Sequence, residues 1–261
     1  MYAFELEKPA TVAEAVKALG QEDAQALGGG QTLIPSMKQR LASPAVLVSL
    51  NGIKELIGVR KDGGDLVIGG ATPHAIVAKE AAATYPALAS LAGNIGDPAV
   101  RNRGTIGGSL ANNDPAACYP SAVLASGATV VTNNRQIAAD DFFEGLFTTV
   151  LEPGEIITEV RFPIPDKANY QKFLQPASRF ALTGVFVTRS GGGVRVAVTG
   201  AAEDGVFRWT EAEQALSTKF SADAVSGLSV DPDGMIGDMH GTKAYRANLV
   251  KVLTGRAVSA A

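Results

Sequence analysis

Two glycine-rich runs constrain the fold of this chain more than any other feature. The first is Gly-Gly-Gly-Gln-Thr at residues 28–32, and the second is Gly-Gly-Ser at residues 107–109. Successive glycines let backbone N–H groups converge on one point without an intervening Cβ, and such a nest binds phosphate oxygens well, particularly beside the start of a helix. Two nests that are distant in sequence predict a cradle for the two phosphates of a dinucleotide.

Neither run matches the common phosphate-binding templates. The first run lacks the third glycine of G-x-G-x-x-G, and the pattern G-x-x-x-x-G-K-[ST] occurs nowhere in the chain. A Rossmann NAD domain and a P-loop NTPase are therefore disfavoured. Because a single glycine run is more often a tight turn than a ligand site, the residues alone indicate a dinucleotide or phosphate binder with a less common cradle.

The periodicity of apolar residues predicts three lobes. Residues 1–55 form a small α/β lobe, residues 56–165 a second lobe with an antiparallel sheet, and residues 166–261 a C-terminal α+β lobe. The predicted helices are 11–19, 34–41, 74–93 with a break near Tyr85-Pro86, 211–216, 222–228 and 242–253, and the predicted strands are 45–50, 66–68, 128–132, 136–138, 156–162, 180–188, 194–199 and 206–210.

Composition excludes several classes of function. The net charge of −3 provides no basic excess to neutralise the phosphates of a nucleic acid. No apolar run is long enough to span a bilayer, and the N-terminus lacks the pattern of a secretory signal, so we expect no integral membrane segment and a cytoplasmic location. Cys118 is the only cysteine, which excludes a cysteine-ligated iron–sulfur cluster within this chain.

Longer stretches around the glycine runs resemble those of a known family. Residues 28–41 (GGGQTLIPSMKQRL) resemble the A-G-G-[HQ]-[ST]-L-[IL]-P-x-[ML]-K-x-R-[LF] segment of carbon monoxide dehydrogenase medium subunits. Residues 100–111 (VRNRGTIGGSLA) are similar to their V-R-N-x-G-T-I-G-G-N-[LI]-[AV], and residues 114–117, 154–160 and 170–173 match further stretches. By this resemblance the chain is identified as an FAD-binding medium subunit of the molybdenum hydroxylase family, which includes the xanthine dehydrogenase FAD-binding subunit.

The resemblance implies an α+β fold of the vanillyl-alcohol-oxidase (PCMH) type, with two FAD-binding lobes and a C-terminal domain that contains an antiparallel sheet. It also implies an electron-transfer role. A large molybdopterin subunit oxidises the substrate, a small subunit carries two two-iron two-sulfur clusters, and this chain delivers the electrons to NAD, a quinone or another acceptor. The implied assembly is a dimer of heterotrimers. The substrate stays open, because the molybdenum site lies on another chain.

The resemblance further implies which residues contact a non-covalently bound FAD. The first pyrophosphate cradle consists of Gly28, Gly29, Gly30, Gln31, Thr32 and Leu33, and the second of Thr105, Gly107, Gly108 and Ser109. Ile95 and Gly96 pack on the flavin or adenine, and Ile157 contacts the adenine side. Cys118 contacts the ribityl chain, Lys172 contacts the flavin, and Phe180 covers the face of its ring.

Two positions depart from the family pattern. Ser109 replaces the usual asparagine, which keeps a hydrogen-bonding group but shortens its reach. Cys118 stands where many relatives have Asp or Glu, and a neutral thiol cannot supply the strong acceptor of a carboxylate. The alternative for Cys118 is a small buried hydrophobe.

Two alternative functions remain open. A stand-alone FAD oxidoreductase of the same fold would need an acid or base beside the flavin, and the sequence shows no obvious candidate. A flavin-free nucleotide-binding or assembly module is the other alternative, for which Ser109 and Cys118 would be early signs.

The remaining polar residues are expected to have no chemical role, and no catalytic residue or metal ligand is predicted. His74 and His240 are expected at the surface or at a helix cap, because they lack the spacing of a metal site. The pair Asp140-Asp141 is expected in a turn or at a strand end. Arg101 and Arg103 are open between the FAD phosphates, a subunit contact and the ordinary surface.

Overall fold

The first lobe is a three-stranded parallel sheet with two helices. The computed structural model describes residues 1–191 and 193–261, and the strand order in this sheet is β1-β3-β2. The central strand is buried along Val46, Leu47 and Val48, as expected for a parallel strand covered on both faces. The elements are β1 (Glu5–Glu7), α1 (Val12–Leu19), β2 (Ala24–Leu27), α2 (Leu33–Lys38) and β3 (Val46–Ser49).

The second lobe is a five-stranded antiparallel sheet covered by helices. Its strand order is β4-β5-β10-β6-β7, and Val160 and Phe162 of the central strand are fully buried. The elements are β4 (Val59–Asp62), β5 (Asp65–Gly69), α3 (His74–Glu80), α4 (Pro86–Gly93), α5 (Pro98–Arg101), α6 (Ile106–Asn112), α7 (Tyr119–Ser126), β6 (Thr129–Thr132), β7 (Gln136–Ala138), the hairpin β8 (Phe143–Gly145) and β9 (Thr148–Thr149), and β10 (Ile157–Pro163).

The third lobe is a four-stranded antiparallel sheet in the order β11-β12-β13-β14. Alternate residues of its second strand enter different cores: Phe186 packs with α7, whereas Val185 and Val187 pack with the two C-terminal helices. Because both faces are covered, this strand reads as a nearly continuous apolar run. The elements are β11 (Lys167–Leu174), β12 (Ala181–Ser190), β13 (Gly193–Ala202), β14 (Gly205–Arg208), α8 (Thr210–Thr218) and α9 (Lys243–Ala260).

The α+β fold class is confirmed, and most predicted elements occur within a few residues of their predicted bounds. Strand β11 was missed because its lysine, asparagine and glutamine residues obscure the alternation of an edge strand. The helix predicted at 222–228 is wrong, since that segment forms only a 3₁₀ turn at Ala222–Val225, and α9 continues beyond 253 to Ala260. Each larger sheet lies within one of the ranges 1–55, 56–165 and 166–261, while the domain boundaries themselves stay a prediction.

Within the described residues, no helix combines the length and apolarity needed to cross a membrane.

Candidate functional site

The two glycine runs lie directly against each other. The first connects the end of β2 to the start of α2, and the second begins α6. A Cβ placed on Gly29 would lie 2.2 Å from the carbonyl oxygen of Arg103 and 2.4 Å from Cα of Gly104. A Cβ on Gly28 would lie 2.9 Å from Oγ1 of Thr105. Only glycine therefore lets the two loops approach this closely, and together they form one continuous cradle.

The second glycine loop is held in place by contacts with its own lobe. Thr105 caps α6, because its Oγ1 accepts a hydrogen bond from the backbone N–H of Gly108 at 3.2 Å. The backbone N–H of Gly107 donates to the carbonyl oxygen of Gly70 at 2.8 Å, and a Cβ on Gly107 would lie 2.6 Å from that oxygen. Close packing onto the end of β5 therefore requires the second glycine run, independently of any ligand.

A cavity of about 600 Å³ opens above the cradle. This volume lies within the range of roughly 300–1,000 Å³ typical of small-molecule sites. All sixteen residues expected to contact a cofactor line its wall, although they come from all three lobes. These residues are Gly28, Gly29, Gly30, Gln31, Thr32, Leu33, Ile95, Gly96, Thr105, Gly107, Gly108, Ser109, Cys118, Ile157, Lys172 and Phe180.

The third lobe contributes one wall through β11 and the turn that follows it. Nζ of Lys172 donates to the carbonyl oxygen of Asn94 at 2.9 Å, which ties β11 to the second lobe. Phe180 is half-buried at the start of β12, and its ring packs edge-on against His240 with the ring centroids 5.5 Å apart. Arg179 adopts the left-handed region with φ of 63°, which bends the turn so that Phe180 reaches the cavity wall.

Cys118 lies buried in the cavity wall, just before α7. The loop that precedes it is held by the third lobe, because Oγ1 of Thr199 lies 3.0 Å from the carbonyl oxygen of Pro115 and 2.6 Å from that of Ala117. Oγ of Ser121 donates to the carbonyl oxygen of Cys118 at 2.8 Å. The hydroxyl of Ser121 thus completes a turn of the backbone at the start of α7.

Glu155 lines the cavity, although no role is predicted for it from the sequence. Its carboxylate is fully buried and accepts hydrogen bonds from Thr132, from the Arg135 guanidinium and from the backbone N–H of Glu152. The hydrogen bonds from Arg135, aided by the other donors, lower the pKa of Glu155 to about 2. This cluster anchors the segment that carries Ile157 into the cavity. The only sequence signal that could have indicated a role for Glu155 is its position within residues 154–160, which match a stretch of the family.

His74 is the main correction at the site. Of the two expected positions, the surface is wrong, because the side chain is only 4% exposed and lines the cavity, although His74 does lie at a helix start as the first residue of α3. Burial removes the water that would stabilise an imidazolium, and the nearby Arg101 repels it, so the pKa of His74 falls to about 4. His240 is exposed as expected. The sequence around the two histidines does not indicate which of them is buried.

Arg101, Arg103 and Asp140 contact other parts of the protein. Nη1 of Arg101 donates to the carbonyl oxygens of Ile95 and Gly96 at 3.1 and 3.0 Å and so fixes that turn. Arg103 is exposed, and its carbonyl oxygen contacts the first cradle loop. Asp140 lies in a 3₁₀ turn, as predicted, and pairs with arginines of the third lobe.

The residues present fit an extended nucleotide cofactor. The first glycine loop provides backbone N–H groups without side chains, and the second loop packs closely against it. The wall beyond the two loops supplies apolar and aromatic surface together with one lysine. A fold with three lobes around such a cavity defines a nucleotide-binding protein whose cradle is neither of Rossmann nor of P-loop type.

Comparison with known proteins identifies the family. Residues 2–165 match the family described as the FAD binding domain in molybdopterin dehydrogenase. The chain therefore belongs to this family and is an FAD-binding medium subunit of the molybdenum hydroxylase oxidoreductases.

Relatives match along almost the whole chain. The carbon monoxide dehydrogenase medium chain of Afipia carboxidovorans is 34% identical, over 99% of this chain and 96% of the relative. The nicotine 6-hydroxylase medium subunit of Paenarthrobacter nicotinovorans is 33% identical, over 98% and 96%. Among solved structures, quinoline 2-oxidoreductase from Pseudomonas putida 86 superposes with a TM-score of 0.88 at 29% identity, covering 100% of this chain and 97% of that one.

Proposed function

We propose that this chain is the electron-transfer subunit of a heteromeric molybdenum hydroxylase. It receives electrons from the two-iron two-sulfur clusters of a small partner subunit and delivers them to NAD, a quinone or another acceptor. A large molybdopterin subunit completes the complex as a dimer of heterotrimers in the cytoplasm. FAD supplies the redox chemistry when it is bound. The chain's own residues hold, orient and shield this cofactor.

One observation carries the proposal. The sixteen residues that the family resemblance assigns to FAD come from segments between positions 28 and 180, yet all line one cavity. A chance grouping of turn glycines would not place Lys172 and Phe180 of the third lobe in the same cavity as the cradle formed by the first two lobes. The relatives of nearly equal length are medium subunits of carbon monoxide and nicotine-hydroxylating enzymes, which supports a place in a multi-subunit complex.

The positions of these residues suggest distinct roles. The backbone N–H groups of the first glycine loop bind the pyrophosphate without a covalent bond, and the second loop, whose Gly107 and Gly108 N–H groups already donate to Gly70 and Thr105, closes the cradle from the other side. Ile95 and Ile157 supply apolar surface, and Phe180 covers the ring against water. Lys172 places a positive charge at the wall, where it favours an electron-rich ring. Cys118 takes the ribityl position as a weak hydrogen-bonding group.

The first experiment is the absorption spectrum of the purified chain, before and after reconstitution with FAD. We expect a flavin spectrum with a stoichiometry of one, released as free FAD by denaturation. A chain that stays colourless after reconstitution would contradict FAD binding. Co-expression with small and large subunits separates the complex from a stand-alone enzyme, because only the complex transfers electrons from the substrate to the flavin of this chain.

Substitution of Gly29 tests the cradle. In Gly29→Ala the new Cβ would meet the Arg103 carbonyl oxygen at 2.2 Å, and backbone must move by about 1 Å to restore contact. Such overpacking costs about 1–3 kcal/mol. The free chain relieves it by separating the two loops, and FAD binding must bring them together again against that cost, so we expect FAD affinity to fall at least fivefold. The matched control is Gly64→Ala, where the new Cβ meets nothing within 4 Å. Equal FAD affinity in both variants would refute the assignment.

A further inference from the structure

The His74 imidazole lies directly beneath the second cradle loop. Its backbone N–H donates to the carbonyl oxygen of Gly104 at 2.9 Å, and a Cβ placed on Gly104 would lie 2.6 Å from His74 Nε2. Gly104 immediately precedes Thr105, with which the loop begins. The ring therefore packs against the residue that immediately precedes the second cradle loop, and it forms part of the cavity wall.

His74 has unused hydrogen-bonding capacity at this position. Nδ1 is buried and has no hydrogen-bond partner among the described residues. A buried polar nitrogen without a partner costs free energy, and a ligand group or a rearranged side chain removes that cost. A structural role alone leaves this nitrogen unexplained, because the hydrogen bond from His74 to the loop comes from its backbone and not from its ring.

The groups around the imidazole disfavour its charged form while no anion is bound. Arg101 of α5 repels a proton on the ring, and Tyr119 of α7 packs against it with ring centroids 5.3 Å apart. The pKa of His74 is held near 4 by burial and by Arg101. The other titratable residues of the cavity wall are Asp114, Cys118, Glu155, Lys172 and Arg179.

We propose that His74 is a proton-linked contact of the bound FAD, and that it takes up a proton from solvent when the pyrophosphate enters the adjoining cradle. The inference rests on the proposed FAD site. The pyrophosphate brings two negative charges beside the loop that covers the ring, and a negative charge within several ångström favours the imidazolium. FAD affinity therefore increases as pH falls from the pKa of His74 in the complex to its pKa of about 4 in the free chain, and the total increase is tenfold for each unit by which binding raises that pKa.

The chain contains only two histidines, which makes the protonation state of His74 directly measurable. With ¹³C-labelled histidine, nuclear magnetic resonance gives one ring signal for His74 and one for the exposed His240. We expect FAD loading of the full chain to raise the pKa of His74 by at least about one unit. An unchanged or lowered pKa of His74 in the FAD-loaded chain would overturn the proposal.

Calorimetry gives a second and independent readout. FAD is titrated into stripped chain at pH 5.5 in two buffers that differ in ionisation enthalpy, which counts the protons taken up. Wild type and His240→Asn should take up protons, whereas His74→Asn should take up fewer. Because His74→Asn could fail to fold, the wild-type resonance experiment decides the matter without it. A chain that binds no FAD refutes the proposed function, whereas FAD binding without proton uptake refutes only the role of His74.

Discussion

Glu155→Gln removes the one negative charge in a buried cluster of donors. The carboxylate accepts hydrogen bonds from the Arg135 guanidinium at 3.0 Å, from Thr132 at 2.7 Å and from the backbone N–H of Glu152 at 2.8 Å. A glutamine keeps the shape, but its amide nitrogen would face the guanidinium that now donates. The substitution therefore tests whether charge, and not shape, anchors the segment at 152–157 that forms part of the cavity wall.

The expected magnitude follows from the pKa of Glu155. The folded-state pKa is about 2, compared with an ordinary value of 4.5. Because the folded pKa lies below the unfolded one, the stabilisation is complete above pH 4.5 and is lost as pH falls toward 2. The full difference corresponds to about 3 kcal/mol. Water beside the half-exposed Arg135 screens part of it, so we expect Glu155→Gln to lower the free energy of unfolding by about 2 kcal/mol at pH 7.

The assay is urea unfolding at a series of pH values between 7 and 3. The difference between wild type and Glu155→Gln should stay constant down to about pH 4.5 and then shrink. Glu152→Gln is the matched control, because its carboxylate is 69% exposed and lies 3.8 Å from the same arginine; it should leave stability unchanged. The reasoning fails if the two variants behave alike, or if the loss in Glu155→Gln does not depend on pH.

Three further substitutions test hydrogen bonds that hold loops and strands of the second and third lobes in place. Asn113→Ala removes two hydrogen bonds to the carbonyl oxygens of Gly145 and Thr148 and places alanine at a left-handed φ of 41°, so we expect a loss of about 2 kcal/mol in urea unfolding; an unchanged midpoint would contradict this. Arg246→Met removes the buried guanidinium that donates to the carbonyl oxygens of Leu182 and Gly200 and to the Asp238 carboxylate, and the expected loss is about 3 kcal/mol by the same measurement. Thr199→Val releases the loop before the buried cysteine, so alkylation of that thiol by a maleimide should become faster, whereas equal rates would refute the contact.

The cradle could be predicted from the sequence because its requirements are local. A backbone nest needs consecutive glycines, and the close approach of Gly29 to the second loop allows no other residue. Lys172 and Phe180 are predicted as site residues only from the resemblance to a family, because nothing in the sequence around them connects them to the cradle. Both line the cavity, since the third sheet packs against the second lobe through α7.

Other features could not be predicted because they depend on tertiary packing. His74 and His240 are both isolated histidines in sequence, and only the approach of Gly104 and Tyr119 buries the first. Glu155 looks like a surface turn residue after Pro153-Gly154 until Thr132 and Arg135 of the neighbouring strand region reach it. In each case the decisive neighbour comes from a distant segment of the chain, which periodicity does not report.

The contact between the two glycine loops also has a thermodynamic consequence. The first loop belongs to the parallel sheet of residues 1–55, and the second belongs to the antiparallel sheet that follows. A ligand that touches both loops binds only when the two sheets are docked, so its binding free energy adds to the docking equilibrium. At a free concentration one hundred times its Kd, such a ligand adds about 2.7 kcal/mol to the docked state. A bound cofactor thus adds to the apolar packing of Ala71 and Ile156 that already attaches the N-terminal sheet to the second lobe.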